Sequence, residues 1–136
     1  MLFRSGATVV RNARNRHFVD GTNQAARAAS GEFLLLLNND TTLLPGAIDA
    51  ALATLRTTPR AGAVGGRLVL LDGTLQEAGS FVWRNGHTEG YGRGAAPFDA
   101  PYRHRREVDY CSAAFLLTPR ALFLGQGGFE IGRAHV

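Results

Sequence analysis

The chain has no lysine and only one cysteine, one methionine and one tryptophan among its 136 residues. The single cysteine, Cys111, excludes an internal disulfide framework and a cysteine-rich zinc site, and it suits a reducing compartment. Long apolar stretches are also missing, because the run Phe33–Leu37 is far shorter than the roughly 20 residues of a membrane-spanning helix. We therefore predict a cytoplasmic protein with no membrane span and no signal peptide, stabilised by a packed core.

Because lysine is absent, all fifteen basic residues are arginines, and the net charge is +4. This composition is typical of a GC-rich genome. The arginines are scattered, and only residues 103–106 form a basic cluster, which we interpret as a loop. A phosphate-binding surface needs several basic groups on one face, so we expect no nucleic-acid partner. The proportions of 45% hydrophobic and 19% charged residues are typical of one soluble domain.

Both ends of the sequence are similar to the translation of a common sequencing-library adapter. The first five residues, MLFRS, match one strand of that adapter, and the tail EIGRAHV matches the other. A segment translated from an adapter is not part of a protein's natural fold. We expect residues 1–5 and 130–136 to be non-native and residues 6–129 to be an internal piece of a longer protein.

Between these ends, the sequence alternates strand-like and helix-like segments. The run Phe33–Leu37 shows no apolar alternation, which is typical of a strand buried on both faces of a mainly parallel sheet. We predict an α/β fold in which helices connect these strands. The predicted strands are residues 7–10, 33–37 and 63–71, with a further buried apolar run at 108–118. The predicted helices are residues 23–29, capped by Asp20 or Thr22 and ended by Gly31, and residues 46–57, followed by a short helix from Pro119.

Polar residues follow the apolar run 33–37 immediately, at Asn38, Asn39 and Asp40. Ligands of open α/β sheets bind at the carboxyl ends of strands. Asp40 is therefore a candidate ligand for a divalent cation, with Asn38 as a neutral oxygen donor. The same residues are also typical of a turn that caps the next helix.

A glycine-rich stretch at residues 79–101 contains Trp83 and Tyr91. It is typical either of a long active-site loop or of an irregular excursion. Its aromatic rings could stack on a sugar or fold back on the core. Arg67, upstream of this stretch, is a candidate partner for a diphosphate or for a nearby carboxylate.

An ordered set of motifs covers nearly the whole of residues 6–129. The motifs are Asn12-x-x-Asn15-x-x-Phe18, Gly21-x-Asn23, Gly31-Glu32, Leu37-Asn38-Asn39-Asp40-Thr41, Pro45-Gly46, Gly65-x-Arg67-Leu68, Asp72-Gly73-x-Leu75-Gln76-x-Ala78-Gly79, Val108-Asp109-Tyr110-x-Ser112-x-Ala114 and Gly127-Gly128-Phe129. In this order and spacing they resemble glycosyltransferase family 2, in its rhamnosyltransferase-like and polysaccharide-synthesis subgroup. The resemblance implies a partial GT-A (Rossmann-like) nucleotide-sugar-binding fold that lacks its first strands and its C-terminal part.

The resemblance also implies roles for individual residues. Asp40 and Asn38 occupy the family's Asp-x-Asp motif, which implies Mn²⁺ or Mg²⁺ as cofactor. His17 and Ala113 stand where the family usually has glycine. No catalytic base is expected within this chain, because the family places it in a Glu-Asp pair beyond the position of Phe129. The expected nucleotide-sugar-binding residues are Asn15, Asn23, Asn38, Asn39, Asp40 and Arg67, and the expected acceptor-binding residues are Trp83 and Tyr91.

The function implied is inverting transfer of a sugar from a nucleotide-sugar donor to a glycan or lipid-linked acceptor in bacterial cell-surface polysaccharide synthesis. The parent enzyme would act in the cytoplasm or at the inner face of the membrane, and the isolated chain is expected to be inactive. Two alternatives remain open at this point. One is a fragment of a sugar nucleotidyltransferase, and the other is a noncatalytic glycan-binding module that uses residues 83–106.

Overall fold

The computed structural model describes residues 7–130 as three helices, seven short strands and a 3-10 turn at Ala100–Tyr102. Of the proposed non-native residues 1–5 and 130–136, all but residue 130 lie outside the described residues. Within residues 7–130, no helix is long and apolar enough to cross a membrane. The helices are α1 (His17–Ala28), α2 (Ala47–Thr57) and α3 (Arg120–Gly125). The strands are β1 (Phe33–Leu37), β2 (Val64–Gly65), β3 (Leu68–Val69), β4 (Leu75–Glu77), β5 (Ser80–Val82), β6 (Thr88–Gly90) and β7 (Phe115–Pro119).

The central sheet has three strands in the order β1-β7-β2, and both outer strands pair antiparallel to β7. Leu117 of β7 lies opposite Leu35 on one side and Val64 on the other. The prediction of a mainly parallel sheet is therefore wrong for the pairing. The pairing is antiparallel because β7 lies between β1 and β2. These two strands run in the same direction, but β7 comes from much later in the chain and runs opposite to both.

Helices cover both faces of this sheet, as the unbroken apolar pattern of β1 predicts. On one face, Ala51 and Leu55 of α2 pack on Phe115 and Leu117. The second cluster joins the other two helices to the sheet and consists of Ala26, Leu34 and Phe123. The expected α/β layering is thus present, with two small cores on opposite sides of β1 and β7.

Helix α1 begins at His17, six residues before the predicted start. Asp20 lies in its first turn instead of capping it, and forms an ion pair of 3.8 Å with Arg16. The N-cap residue is Arg16, and just before it the Asn15 side-chain oxygen accepts a hydrogen bond of 2.8 Å from the His17 N–H. His17 itself has φ of 56°, a conformation that glycine adopts without strain, which gives a physical reason for the glycine usual at this position.

Two predicted strands differ in the structure. Residues 7–10 form no strand, and Val9 and Val10 are about half exposed; a β-prone run becomes a strand only where a partner lies beside it. The run 63–71 splits into β2 and β3, which belong to different sheets. The chain leaves the central sheet at Gly66, where a Cβ would lie 2.9 Å from the Phe115 ring.

The glycine-rich stretch is ordered rather than irregular. Strands β5 and β6 form an antiparallel hairpin in which Phe81 lies opposite Glu89. The hairpin turn is closed by a hydrogen bond of 2.8 Å from the Gly86 N–H to the Trp83 carbonyl, and Gly86 has φ of 80°. The opposite edge of β5 is bridged at Ser80 to Tyr110, which attaches the hairpin to the segment before β7.

The central position of β7 predicts a large effect of truncating its core side chain. Leu117 is 3% exposed and Leu71 is fully exposed. We expect Leu117→Ala to lower the free energy of unfolding by about 2–5 kcal/mol, because it leaves a cavity between α2 and the sheet. Leu71→Ala, the same substitution at the surface, should change it by no more than about 0.5 kcal/mol. Urea unfolding measures both, and equal effects of the two substitutions would contradict the assigned core.

Candidate functional site

Three strand ends meet at one edge of the central sheet, which we call the carboxyl edge. β1 and β2 end there, and β7 begins there. The Asn38 N–H donates to the Ala114 carbonyl at 3.1 Å, and the Gly66 N–H donates to the Phe115 carbonyl at 3.3 Å. The residues that follow β1 and β2 therefore start from neighbouring positions.

Asn38, Asn39 and Asp40 form an exposed turn directly after β1, here called the 38–40 turn. It is closed by a hydrogen bond of 3.2 Å from the Thr41 N–H to the Asn38 carbonyl. The only ion pair within residues 7–130 joins Arg16 and Asp20, so the Asp40 carboxylate has no arginine partner there.

The 38–40 turn offers one carboxylate and two carboxamide oxygens, which are suitable donors for Mg²⁺ or Mn²⁺. The described part of the chain contains no cluster of three or more His, Cys, Asp or Glu side chains that could hold a metal alone. These donors therefore fit a cation that completes its coordination with substrate phosphates and water, as is common for Mg²⁺.

Asn23, an expected nucleotide-binding residue, is 8% exposed and has structural partners. Its side-chain NH₂ donates to the Phe129 carbonyl and its oxygen accepts from the Phe129 N–H, both at 2.8 Å. We call this pair the carboxamide bridge. It ties α1 to the segment after α3, and a Cβ on Gly128 would overlap the Asn23 carboxamide oxygen. Asn15 likewise holds the start of α1.

Arg67 also has structural partners, because its Nη1 donates to the carbonyls of Pro97 at 2.6 Å and Tyr102 at 3.3 Å. Its guanidinium stacks over the Phe98 ring at 5.1 Å. Arg67 thereby fixes the loop around the 3-10 turn next to the carboxyl edge. Contact of Arg67, Asn15 or Asn23 with a nucleotide sugar stays a prediction.

Trp83 and Tyr91, the expected acceptor-binding residues, line one groove on the β5–β6 hairpin. Their environments differ. Trp83 is 53% exposed, whereas Tyr91 makes edge contacts with Phe81 and Tyr102 and carries the Arg106 guanidinium 3.9 Å above its ring. Trp83 therefore offers an open ring face, and Tyr91 mainly supports the groove wall.

Two acidic residues to which the sequence assigned no role, Glu77 and Asp109, organise this region. Glu77 is 7% exposed and accepts hydrogen bonds from the Ser80 hydroxyl at 3.1 Å and the Ser112 N–H at 3.2 Å. Asp109 accepts from the Val82 N–H at 3.2 Å. The neighbouring sequence gives no signal for Glu77, because its partner Ser112 lies 35 residues away, although a buried carboxylate always needs hydrogen-bond donors.

Cys111 lies against Gly65, and burial raises the pKa of its thiol. The thiol is therefore protonated near neutral pH, so Cys111 is unsuited to act as a nucleophile.

The carboxamide bridge predicts a clear difference between two neighbouring residues. Asn23→Ala would leave the N–H and carbonyl of Phe129 without their partners, and we expect a loss of about 1–3 kcal/mol in the free energy of unfolding. Gln24→Ala removes a carboxamide whose hydrogen bonds to Asn12 are exposed, so its loss should stay below about 0.5 kcal/mol. Thermal or urea unfolding of both variants tests this, and a larger loss for Gln24→Ala would contradict it.

Comparison with known proteins gives a consistent assignment. The family model described as glycosyl transferase family 2 matches residues 2–115. The O-antigen biosynthesis protein RfbC of Myxococcus xanthus is 34% identical over 114 residues, which cover 79% of this chain and 9% of that protein. No solved structure matches the chain significantly. Since the family model covers most of the sequence, the chain belongs to glycosyl transferase family 2.

Proposed function

We propose that this chain is part of an inverting glycosyltransferase that moves a sugar from a nucleotide-sugar donor to a glycan or lipid-linked acceptor. The observation that carries the proposal is the exposed Asp40 carboxylate at the carboxyl edge, without an ion-pair partner among the described residues. The family membership agrees with this reaction class. A partial GT-A fold belongs to the same proposal, because helices flank a sheet whose carboxyl edge is open to ligand.

The 38–40 turn would hold Mn²⁺ or Mg²⁺ together with the donor diphosphate. Such a cation, when bound, neutralises charge that develops on the leaving diphosphate. Asp40 supplies the negative charge that binds the cation, and Asn38 adds a neutral oxygen. Asn39 and Arg67 would contact the nucleotide sugar from the same edge, and Asn15 and Asn23 would support its binding wall through α1.

The acceptor would approach from the β5–β6 hairpin, with Trp83 and Tyr91 against its sugar. Inversion requires a base that removes the proton from the acceptor hydroxyl as the new bond forms. We assign that base to residues beyond the position of Phe129, as in the family. The carboxamide bridge would then hold the start of that segment against α1.

The biological setting we propose is bacterial cell-surface polysaccharide synthesis. It is supported by the relative, whose name describes O-antigen biosynthesis. That protein is far longer than the chain, so its name supports the class of product and not a particular donor or acceptor.

The proposal predicts that Asp40 is needed for cation-dependent donor binding. In the chain, calorimetry with Mn²⁺ and UDP, GDP or dTDP should detect a complex that Asp40→Asn abolishes, because a neutral side chain no longer balances the cation. In the full-length enzyme, the same change should lower sugar transfer about a hundredfold or more, as for other preorganised electrostatic groups. Asn38→Ala should cost less in both measurements.

A matched control is Asp49→Asn, which removes an equal charge from the exposed first turn of α2. It should leave both complex formation and transfer unchanged. Chelator-sensitive transfer at a normal rate in Asp40→Asn would refute the assigned cation site.

A further inference from the structure

The groove on the β5–β6 hairpin combines aromatic rings with carboxylates. It has a volume of about 460 Å³ and lies outside the 38–40 turn. Among residues 7–130, no basic side chain lines it. Its walls are formed by Phe81, Val82, Trp83, Glu89, Gly90, Tyr91, Gly92 and Asp109.

The open ring of Trp83 is held in a fixed orientation. Its Nε1–H donates to Glu89 Oε2 at 3.2 Å, across the hairpin. Phe81 lies opposite Glu89 in the strand register, and its ring meets Tyr91 edge-on at 5.4 Å. The indole is thus an exposed apolar surface whose orientation is set before any ligand arrives, which lowers the entropy cost of binding.

In each carboxylate of the groove, one oxygen accepts a hydrogen bond from the β5–β6 hairpin. Glu89 Oε2 orients Trp83, and Asp109 Oδ2 accepts from the Val82 N–H. The second oxygen of each carboxylate has no protein donor within residues 7–130. An ionised carboxylate only accepts hydrogen bonds, and its bonds to hydroxyl groups are short and strong. The groove is therefore suited to a ligand with an apolar face and several hydroxyl donors.

A pyranose ring has this combination, since its axial C–H groups form an apolar face and its hydroxyls project around the rim. We propose that the groove is a subsite for a neutral pyranose unit of the acceptor, with Trp83 stacking on the ring and Glu89 and Asp109 accepting from its hydroxyls. The inference rests on the proposed function, in which the acceptor is a carbohydrate. To that function it adds Glu89 and Asp109 as binding residues and a preference for neutral over acidic sugars.

The charge preference follows from the two carboxylates. A uronic acid or phosphorylated sugar would bring further negative charge to a groove that no basic side chain of the described residues lines. The arginine beside it, Arg106, already stacks on Tyr91 and donates to the Pro101 carbonyl. Neutral sugars should therefore bind in preference to acidic ones.

The groove lies within reach of the carboxyl edge. Asp109 precedes Ala114 by five residues, and the Ala114 carbonyl accepts from the Asn38 N–H. Five residues span at most about 18 Å when fully extended. An acceptor of a few sugar units could thus occupy the groove and extend to the 38–40 turn.

Because Trp83 is the single tryptophan, its fluorescence reports directly on this groove. We would titrate the chain with methyl β-glucopyranoside and methyl β-galactopyranoside, and with the uronide that corresponds to each. At least one neutral glycoside should change the emission saturably, and its uronide should bind about tenfold more weakly or not at all. Absence of saturation with both neutral glycosides, or equal affinity of a uronide, would overturn the proposal.

Two near-isosteric variants test the carboxylates. Glu89→Gln keeps an oxygen for the Trp83 Nε1–H, and Asp109→Asn keeps one for the Val82 N–H, so circular dichroism should report an intact fold. Each should raise the dissociation constant of the neutral glycoside about tenfold, because a charge-assisted hydrogen bond is lost. Asp49→Asn is the control and should leave it unchanged. Unchanged affinity in both groove variants would refute the roles of Glu89 and Asp109.

The same variants separate this subsite from the cation site. Asp40→Asn should leave glycoside binding unchanged, and Glu89→Gln should leave binding of Mn²⁺ and nucleoside diphosphate unchanged. Loss of glycoside binding with an intact Mn²⁺–nucleotide complex would reject only the subsite. Glycoside binding without any Mn²⁺–nucleotide complex would support the subsite and reject the cation site proposed at the 38–40 turn.

Discussion

The structure depends on the antiparallel pairing of β7 with both β1 and β2. This pairing brings two strand ends and one strand start to the carboxyl edge, and it places the segment before β7 beside the 38–40 turn. The same segment holds the β5–β6 hairpin through the bridge between Ser80 and Tyr110. The relation between the 38–40 turn and the hairpin groove therefore follows from one strand placement.

The candidate site residues fall into two groups, one buried and one exposed to solvent. Asn23 and Glu77 are buried, and their carboxamide or carboxylate atoms are hydrogen-bonded, as the cost of desolvation requires. Asp40 and Trp83 are exposed and keep a carboxylate or a ring face open to solvent. Both kinds of residue occur in the family motifs, so a motif alone does not distinguish support of the fold from contact with substrate.

The sequence predicted those elements whose position depends on residues close together in the chain. The bounds of β1 were predicted correctly from its apolar run, α2 from its helical spacing, and the exposed turn after β1 from its abrupt change to polar residues. The order of strands in the sheet was not predicted, because the position of β7 between β1 and β2 depends on packing between segments that are distant in sequence. Tyr91 is covered by Tyr102 and Arg106, which come from later in the chain. The role of Glu77 depends on Ser112, 35 residues away. Neither relation has a signature in the neighbouring sequence.

The carboxamide bridge has a consequence for how the chain folds, since it joins residues 106 positions apart. Contacts of such large sequence separation form late, because the intervening loop must be closed first. During synthesis, α1 leaves the ribosome well before β7, α3 and Phe129 exist. Until those segments are synthesised, the apolar face of α1 at Ala26 lacks its contact with Phe123, and β1 lacks its pairing with β7. Such an interval of exposed apolar surface is the stage at which chaperones act and aggregation competes with folding.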